Sequence, residues 1–354
     1  MNSHYVPQFI LKGFCNENNQ LIYCDFDKST IYTRNTKSVF STDGYYPDEL
    51  EKDLCHRIEY PFANLFHSKI ENARDSIDLS SNELFLLRKY LIISCLRYKY
   101  DMTENDKSFL RKIPEEYHHL YRVDSIEAVN KIISIENDDE LSQYFEHIME
   151  ARRFSYNGQT DKSDYNLQIL MDAREAYYND LIFLHSNDKE EFVIPDTSRA
   201  MYMVKDPLAK MFFAISLKIS EPNHHLTNLI DKLTPRDYTF YPLSKNLALL
   251  SVSPFYKELI DISEEYKKYN VKKFSEALGF SDYKIMESFA EKSNENYSFP
   301  ILSIDDYDIQ HFNSLSINQA KHFIACSDLS KIQQSVNFAK DKLDREISFL
   351  QTEG

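Results

Sequence analysis

The sequence predicts a helix-dominated α+β protein, a single domain over residues 1–354 with small antiparallel β-hairpin elements and a peripheral helical insertion at about 101–165. Three observations predict it. Residues Leu84 to Leu96 are apolar at almost every position and follow capping-box chemistry at Ser80-Ser81-Asn82-Glu83, which describes a helix buried on most of its faces. Pairs of β-rich runs are separated by short polar turns, the mark of hairpins. Large buried surface comes from 25 Tyr and 24 Phe, with no Trp and only 5 Gly, so aromatic side chains build the core.

The elements follow in order. Pro7 to Phe14 reads as a short apolar helix or turn that Gly13 helps to end. Leu21 to Phe26 and Thr30 to Arg34 form a hairpin across Asp27-Lys28-Ser29. Glu49 to Arg74 reads as helix, with Leu50, Leu54, Ile58, Phe62 and then Leu65 or Phe66 at helical spacing and Pro61 placed to kink it. The buried helix then runs to Arg97. The insertion is acidic, with Glu136-Asn137-Asp138-Asp139-Glu140 between amphipathic helices. A second hairpin is expected from Asp180 to Ser186 and Glu191 to Ile194, turning at Asn187-Asp188-Lys189. A third is expected from Tyr238 to Leu243 and Leu247 to Val252, turning at Ser244-Lys245-Asn246. The segment Asn313 to Leu350 reads as helical, broken near Ser327-Asp328.

Composition limits the function. A formal net charge of −15 argues against coating long nucleic acid through phosphate contacts, which takes a basic stripe. Lys267-Lys268 and Lys272-Lys273 are basic but have acidic neighbours. Scarce glycine argues against Gly-rich phosphate loops. Five scattered cysteines without a CxxC pair fit reduced thiols in a cytoplasm. No signal-peptide pattern opens the sequence and no apolar run is long enough for a membrane span, so the expected location is cytoplasmic, without membrane contact.

The opening run His4-Tyr5-Val6-Pro7-Gln8-Phe9 leads directly into Ile10, Leu11 and Phe14, which require a core. It therefore reads as a docked segment with an imidazole held beside a residue of fixed φ. This run, with Leu11 and Phe14, resembles the opening of the bacterial domain-of-unknown-function family 4238, which reads His-Tyr-x-Pro, an aromatic, then Leu and Phe. The resemblance continues at Leu50 to Glu59, at Leu91-Ile92-Ile93-Ser94-Cys95-Leu96-Arg97, and at Phe192-Val193-Ile194-Pro195-Asp196. It extends through Tyr241-Pro242-Leu243-Ser244 with Leu247-Ala248-Leu249-Leu250, and ends at Asn318-Gln319-Ala320. Ser94 stands where the family commonly has Gln. Pro195 replaces a Ser or Thr, removing a hydroxyl that would orient Asp196.

The resemblance implies a residue list and no reaction. Its polar positions are His4, Gln8, Glu59, Arg97, Asp196, Ser244 and Asn318, expected to converge on one cleft. In that reading His4 is a general acid or base, Asp196 orients it or binds a divalent metal, and Arg97 binds phosphate or pairs with Glu59. Gln8, Glu59, Ser244 and Asn318 support or bind substrate. The expectation is a phosphodiester- or nucleotide-directed hydrolase, a nuclease-like effector in bacterial defence against phage. The alternative is a non-enzymatic sensor or interaction module whose polar set is a structural network and whose acidic helical region binds a protein partner.

Other chemistries fit less well. Pro195-Asp196 with Ser216-Leu217-Lys218 lacks the acidic residue of a PD-(D/E)xK nuclease. His118-His119 and His224-His225 lack zinc-cage spacing. No G-x-S-x-G elbow occurs, and Cys15, set against Phe14, reads as a small core residue.

Overall fold

The strands Tyr238–Pro242 and Leu247–Val252, which sequence patterning predicts as a hairpin, are buried on both faces. The computed structural model of the chain describes residues 2–43, 46–97, 125–156, 173–187, 189–203, 237–261, 267–340 and 347–350. In chain order the elements are β1 (Asn2–His4), α1 (Gln8–Lys12), β2 (Leu21–Asp25), β3 (Thr30–Arg34), β4 (Ser41–Asp43), α2 (Asp48–Leu54), α3 (Tyr60–Leu65), β5 (Ser76–Ser80) and α4 (Ser81–Leu96). They continue with α5 (Ser125–Ser134), α6 (Asp138–Tyr156), β6 (Asp180–His185), β7 (Ile194–Pro195), β8 (Ala200–Tyr202), β9 (Tyr238–Pro242), β10 (Leu247–Val252), α7 (Pro254–Asp261) and α8 (Lys267–Leu278). The last are β11 (Glu291–Ser293), β12 (Asn296–Ser303), α9 (Asp306–Gln319), β13 (Phe323–Cys326) and α10 (Gln333–Lys340).

The chain divides into two compact units, each assembled from three stretches. The first takes Met1–Tyr5, Thr42–Phe66 and Ser80–Tyr177, and the second takes Val6–Ser41, His67–Leu79 and Tyr178–Gly354.

In the first unit, α4 is the central helix. Ser80 caps it: its hydroxyl accepts from the Glu83 N–H, while the Glu83 carboxylate accepts from the Ser80 N–H at 2.8 Å. Leu87, Leu91, Ile92, Cys95 and Leu96 are fully buried along it, and α3 and α5 pack against it. The Phe62 and Tyr90 rings stack with centroids 4.1 Å apart. The helical run after Asp48 is not purely α. A π turn spans Cys55–Glu59, and the Tyr60 N–H bonds to the carbonyl of Cys55, five residues back. Pro61 follows at once; lacking an N–H it cannot continue the ordinary ladder, so the expected irregularity takes the form of a change in helical register. Of the expected insertion, residues 98–124 and 157–172 lie outside the described residues, and 125–156 forms α5 and α6. The acidic run has a local role: Asn137 Oδ1 accepts from the Glu140 N–H at 2.9 Å, and Asp138, Asp139 and Glu140 occupy the first turn of α6, where the helix dipole favours negative charge.

The second unit corrects the fold expectation. The chain is α+β, but its β-structure is more than small hairpins. A seven-stranded sheet runs β11-β12-β6-β10-β9-β8, with β5 also paired to β12, and a four-stranded sheet runs β3-β2-β13-β7. The larger sheet is mixed, since β12 lies parallel to β6 with Ile301 opposite Phe183. β9 and β10 are buried at every position, as strands covered on both faces must be. The β2–β3 and β9–β10 hairpins form with Cys24 opposite Ile31 and Leu250 opposite Phe240.

The second expected hairpin does not form. β6 pairs with β10 and β12, whereas β7 pairs with β13 in the other sheet. Between them, the Phe192 N–H goes to the Lys245 carbonyl and the Val193 N–H to Asn313 Oδ1, so 191–193 finds partners outside a hairpin ladder. The segment expected to be helical after Asn313 contains β13, whose Ile324, Ala325 and Cys326 are buried. With Val193, Ile317 and Val336, Ile324 belongs to one apolar cluster. Among the described residues, no helix is long and apolar enough to cross a membrane.

Candidate functional site

Of the seven polar positions expected to act, His4, Glu59 and Arg97 fall in the first unit, and Gln8, Asp196, Ser244 and Asn318 in the second.

Arg97 organises the first group. It caps the C-terminus of α4 with its N–H bonded to the Ile93 carbonyl, so the guanidinium leaves the end of the buried helix. The side chain is 4% exposed. Its Nη2 donates to Glu59 Oε1, and its Nη1 donates to the His4 carbonyl oxygen at 3.1 Å. An arginine so buried requires a carboxylate, and Glu59, a quarter exposed, supplies it. Burial works to lower the Arg97 pKa, but the Glu59 carboxylate and Tyr46 outweigh it and hold the group above its usual value. Arg97 thus ties the backbone of β1 to the π turn that carries Glu59. The His4 atom it engages is the main-chain carbonyl; the half-buried imidazole belongs to the strand that this bond holds.

Asp196 occupies the turn after β7. Its Oδ1 accepts from the Lys321 N–H at 2.8 Å, and its Oδ2 accepts from the His322 N–H at 2.8 Å and the Phe323 N–H at 3.3 Å. Its own N–H donates to the Phe323 carbonyl. One carboxylate therefore satisfies three backbone donors at the entry to β13, where α9 has ended. Burial pushes its carboxyl above the usual range, against the pull of those same N–H groups.

Ser244 holds a turn as well. Its Oγ accepts from the Leu247 N–H at 3.1 Å and the Asn246 N–H at 3.3 Å, closing the β9–β10 loop. Gln8 is the first residue of α1 and is half-buried. Asn318 lies in the last turn of α9, also half-buried.

Helix α9 carries polar anchors that sequence reasoning missed. Asn313, fully buried, accepts from the Val193 N–H at 2.9 Å and donates to the Glu191 carbonyl at 2.8 Å and to Ser335 Oγ at 2.9 Å. Gln319 accepts from the Met201 N–H at 2.8 Å and donates to the Met201 carbonyl. Each amide reproduces strand pairing from a helix. Asp308 accepts from the N–H groups of Ser281 and Asp282, and burial pushes its carboxyl up to about 6. His311 Nε2 meets the Tyr238 hydroxyl at 2.8 Å. The legible signal was α9 itself: Asp308, His311, Asn313, Ser314 and Ser316 are buried in it, and a helix with no clean apolar stripe has to find polar partners inside.

Two more buried ionisable groups were unforeseen. Lys89 Nζ donates to the carbonyls of Ile133 and Ile135 at 3.1 and 2.7 Å, closing the C-terminal end of α5, and burial pushes its pKa down to about 8. Glu190 accepts from Ser335 Oγ at 2.7 Å, and burial pushes its carboxyl up to about 7.

Among the described residues, no group of three or more His, Cys, Asp or Glu side chains is placed to hold a metal ion. The histidine pairs 118–119 and 224–225 and the segment 216–218 lie outside those residues. Cys15 is buried with its thiol pKa raised by burial, the opposite of an activated nucleophile. The first unit also holds a cleft of about 400 Å³ between α5 and α6, lined by Glu127, Lys131, Glu140, Gln143, Tyr144 and His147.

Neither the curated proteins nor the solved structures contain a match to this chain. A family model described as "Protein of unknown function (DUF4238)" matches residues 2–330, and the chain belongs to that family.

Proposed function

We propose that the chain works as a sensor or interaction protein whose polar set is a structural network, rather than as a hydrolase. The observation that carries this reading is Asp196: both carboxylate oxygens are committed to backbone N–H groups of residues 321–323. A carboxylate spent in that way offers little to a metal ion or an imidazole. Arg97 supports it, because a guanidinium held by Glu59 and the His4 carbonyl would have to break a buried pair to take a phosphate. Ser244 supports it likewise, with its oxygen given to the turn it closes.

In this reading the working surface of the first unit is the α5–α6 cleft. Gln143, Tyr144 and His147 lie at i, i+1 and i+4 on α6, and Glu140 one turn earlier. Glu127, Glu140 and Lys131 line the cleft with the buried Ala128 and Ile135, and Asp138 and Asp139, next to Glu140 in the chain, are exposed. Four carboxylates against one lysine, with apolar side chains among them, suit a basic segment of a partner protein.

The test is a turnover screen. Purified protein, His4→Ala and Asp196→Asn are incubated with RNA, single- and double-stranded DNA and nucleotides, with and without magnesium or manganese. The expected result is no product above the buffer control, with Asp196→Asn melting at a lower temperature. Cleavage that His4→Ala abolishes at an unchanged melting temperature would overturn the reading in favour of a nuclease-like effector.

A further inference from the structure

Helix α8 reads Lys-Lys-Tyr-Asn-Val-Lys-Lys-Phe-Ser-Glu-Ala-Leu, with Asn270, Val271, Phe274, Ser275 and Leu278 buried. The Asn270 side chain donates to the Leu259 carbonyl at 3.1 Å, and the Phe274 ring meets Tyr256 edge-on at 5.3 Å. One face is therefore fixed to α7. The opposite face presents Lys268, Tyr269, Lys272 and Lys273. Tyr269 is 54% exposed, and Lys273 Nζ stands 5.8 Å from its ring centre. The short turn Tyr283–Glu287 packs on α8 and exposes Tyr283 and Lys284.

This concentration of lysine runs against the chain as a whole, which has 56 acidic and 41 basic residues. Among the described residues, Lys268, Lys272 and Lys273 form no ion pair; Glu276 is the acid of α8, with Glu258 and Asp261 on α7. Glu264 and Glu265 lie outside the described residues. Three exposed lysines gathered beside an exposed tyrosine fit an external anion that carries an aromatic part.

We propose that this face of α8 binds single-stranded nucleic acid, with Lys268, Lys272 and Lys273 against phosphates and Tyr269 stacked on a base. The aromatic ring decides the class of partner. A base released from a duplex offers a face to an exposed tyrosine, and such stacking tolerates any sequence. Three or four lysines are too few to grip a duplex. A bilayer would require apolar side chains to insert, and those of α8 are committed to its own core. The chain's net negative charge does not prevent the contact, because at physiological salt charges beyond about 8 Å are screened. This surface belongs to the second unit and the α5–α6 cleft to the first.

Fluorescence anisotropy tests it, with a labelled oligouridine of about a dozen nucleotides, the matching DNA strand, and its duplex, all in EDTA. The expected result is binding to both single strands and weaker binding to the duplex. The logarithm of affinity should fall with that of salt at a slope of about −2, for three phosphates. Lys268→Glu/Lys272→Glu/Lys273→Glu should weaken binding by at least about tenfold, Tyr269→Ala by about tenfold, and Tyr269→Phe little. All four positions are exposed, so melting temperatures should match the parent protein. Absence of binding at 100 mM salt, binding indifferent to the charge reversals, or binding to phosphatidylserine vesicles with none to oligonucleotides would each overturn the proposal.

Discussion

A Cβ added to Gly13 would stand 2.8 Å from the Ser244 Cβ and 3.1 Å from its Cα, so the end of α1 meets the β9–β10 turn with no room for a methyl group. The Lys245 N–H reinforces the contact by donating to the Gly13 carbonyl at 3.0 Å. Gly13 has φ −64, which alanine adopts freely, so the cost of substitution is steric alone. Gly13→Ala should therefore destabilise by about 1–3 kcal/mol, read as a lower urea midpoint. Ser244→Gly loses the turn's hydroxyl acceptor and so costs stability by itself, but should cost less beside Gly13→Ala; a double variant no better than the sum of the singles would show that the two residues do not press on each other.

Asp196 gives a graded prediction. Asp196→Ala leaves the N–H groups of Lys321, His322 and Phe323 without their acceptor, at roughly 2–4 kcal/mol. Asp196→Asn keeps one acceptor oxygen and should cost about half as much. Urea melts of the two variants measure this directly. An unchanged midpoint for Asp196→Ala would remove the carboxylate from the fold's supports.

Lys89 predicts an unusual pH dependence. Burial first, and Arg57 second, lower its folded pKa to about 8, below the unfolded value of about 10.4. The unfolded state thus binds more protons between those values, and stability rises with pH across them. The contribution is complete above the unfolded pKa and is lost as pH falls through about 8. Compared with Lys89→Met, whose site does not titrate, the native protein should gain up to about 3 kcal/mol between pH 7 and pH 10.5. Paired urea midpoints at the two pH values give the difference, in which all other titrations cancel. A constant gap between the two proteins would mean that Lys89 titrates normally.

Local chemistry was legible from sequence, and long-range pairing was not. The capping box at Ser80 and Glu83, the end of α1 at Gly13 and the β2–β3 and β9–β10 hairpins rest on residues close in the chain, and patterning finds them. β12 shows the limit. It contains Pro300, between the part of the strand paired with β11 and the part parallel to β6, and a proline without an N–H reads locally as a break. Parallel pairing leaves no turn signature, because its partner arrives through a long crossover. β13 is four residues, Phe-Ile-Ala-Cys, between helices, and an apolar run that short has no period to separate strand from helix. Among the site residues, Asp196, Arg97 and Ser244 could be picked out as unusual polar positions. Their partners are mostly backbone groups, which any residue supplies and no side-chain pattern reveals.

Pairing β2 with β13 sets Asp25 opposite Phe323 and Cys24 opposite Ile324. On the ribosome the β2–β3 hairpin emerges early, and its partner strand follows almost 300 residues later, roughly 15–60 s at ordinary synthesis rates. Through that interval one edge of β2 carries unpaired N–H and C=O groups, an open template for any other extended chain. The wiring of this small sheet therefore keeps one strand edge open through most of synthesis, and a message cut short before Cys326 would leave that edge without its partner.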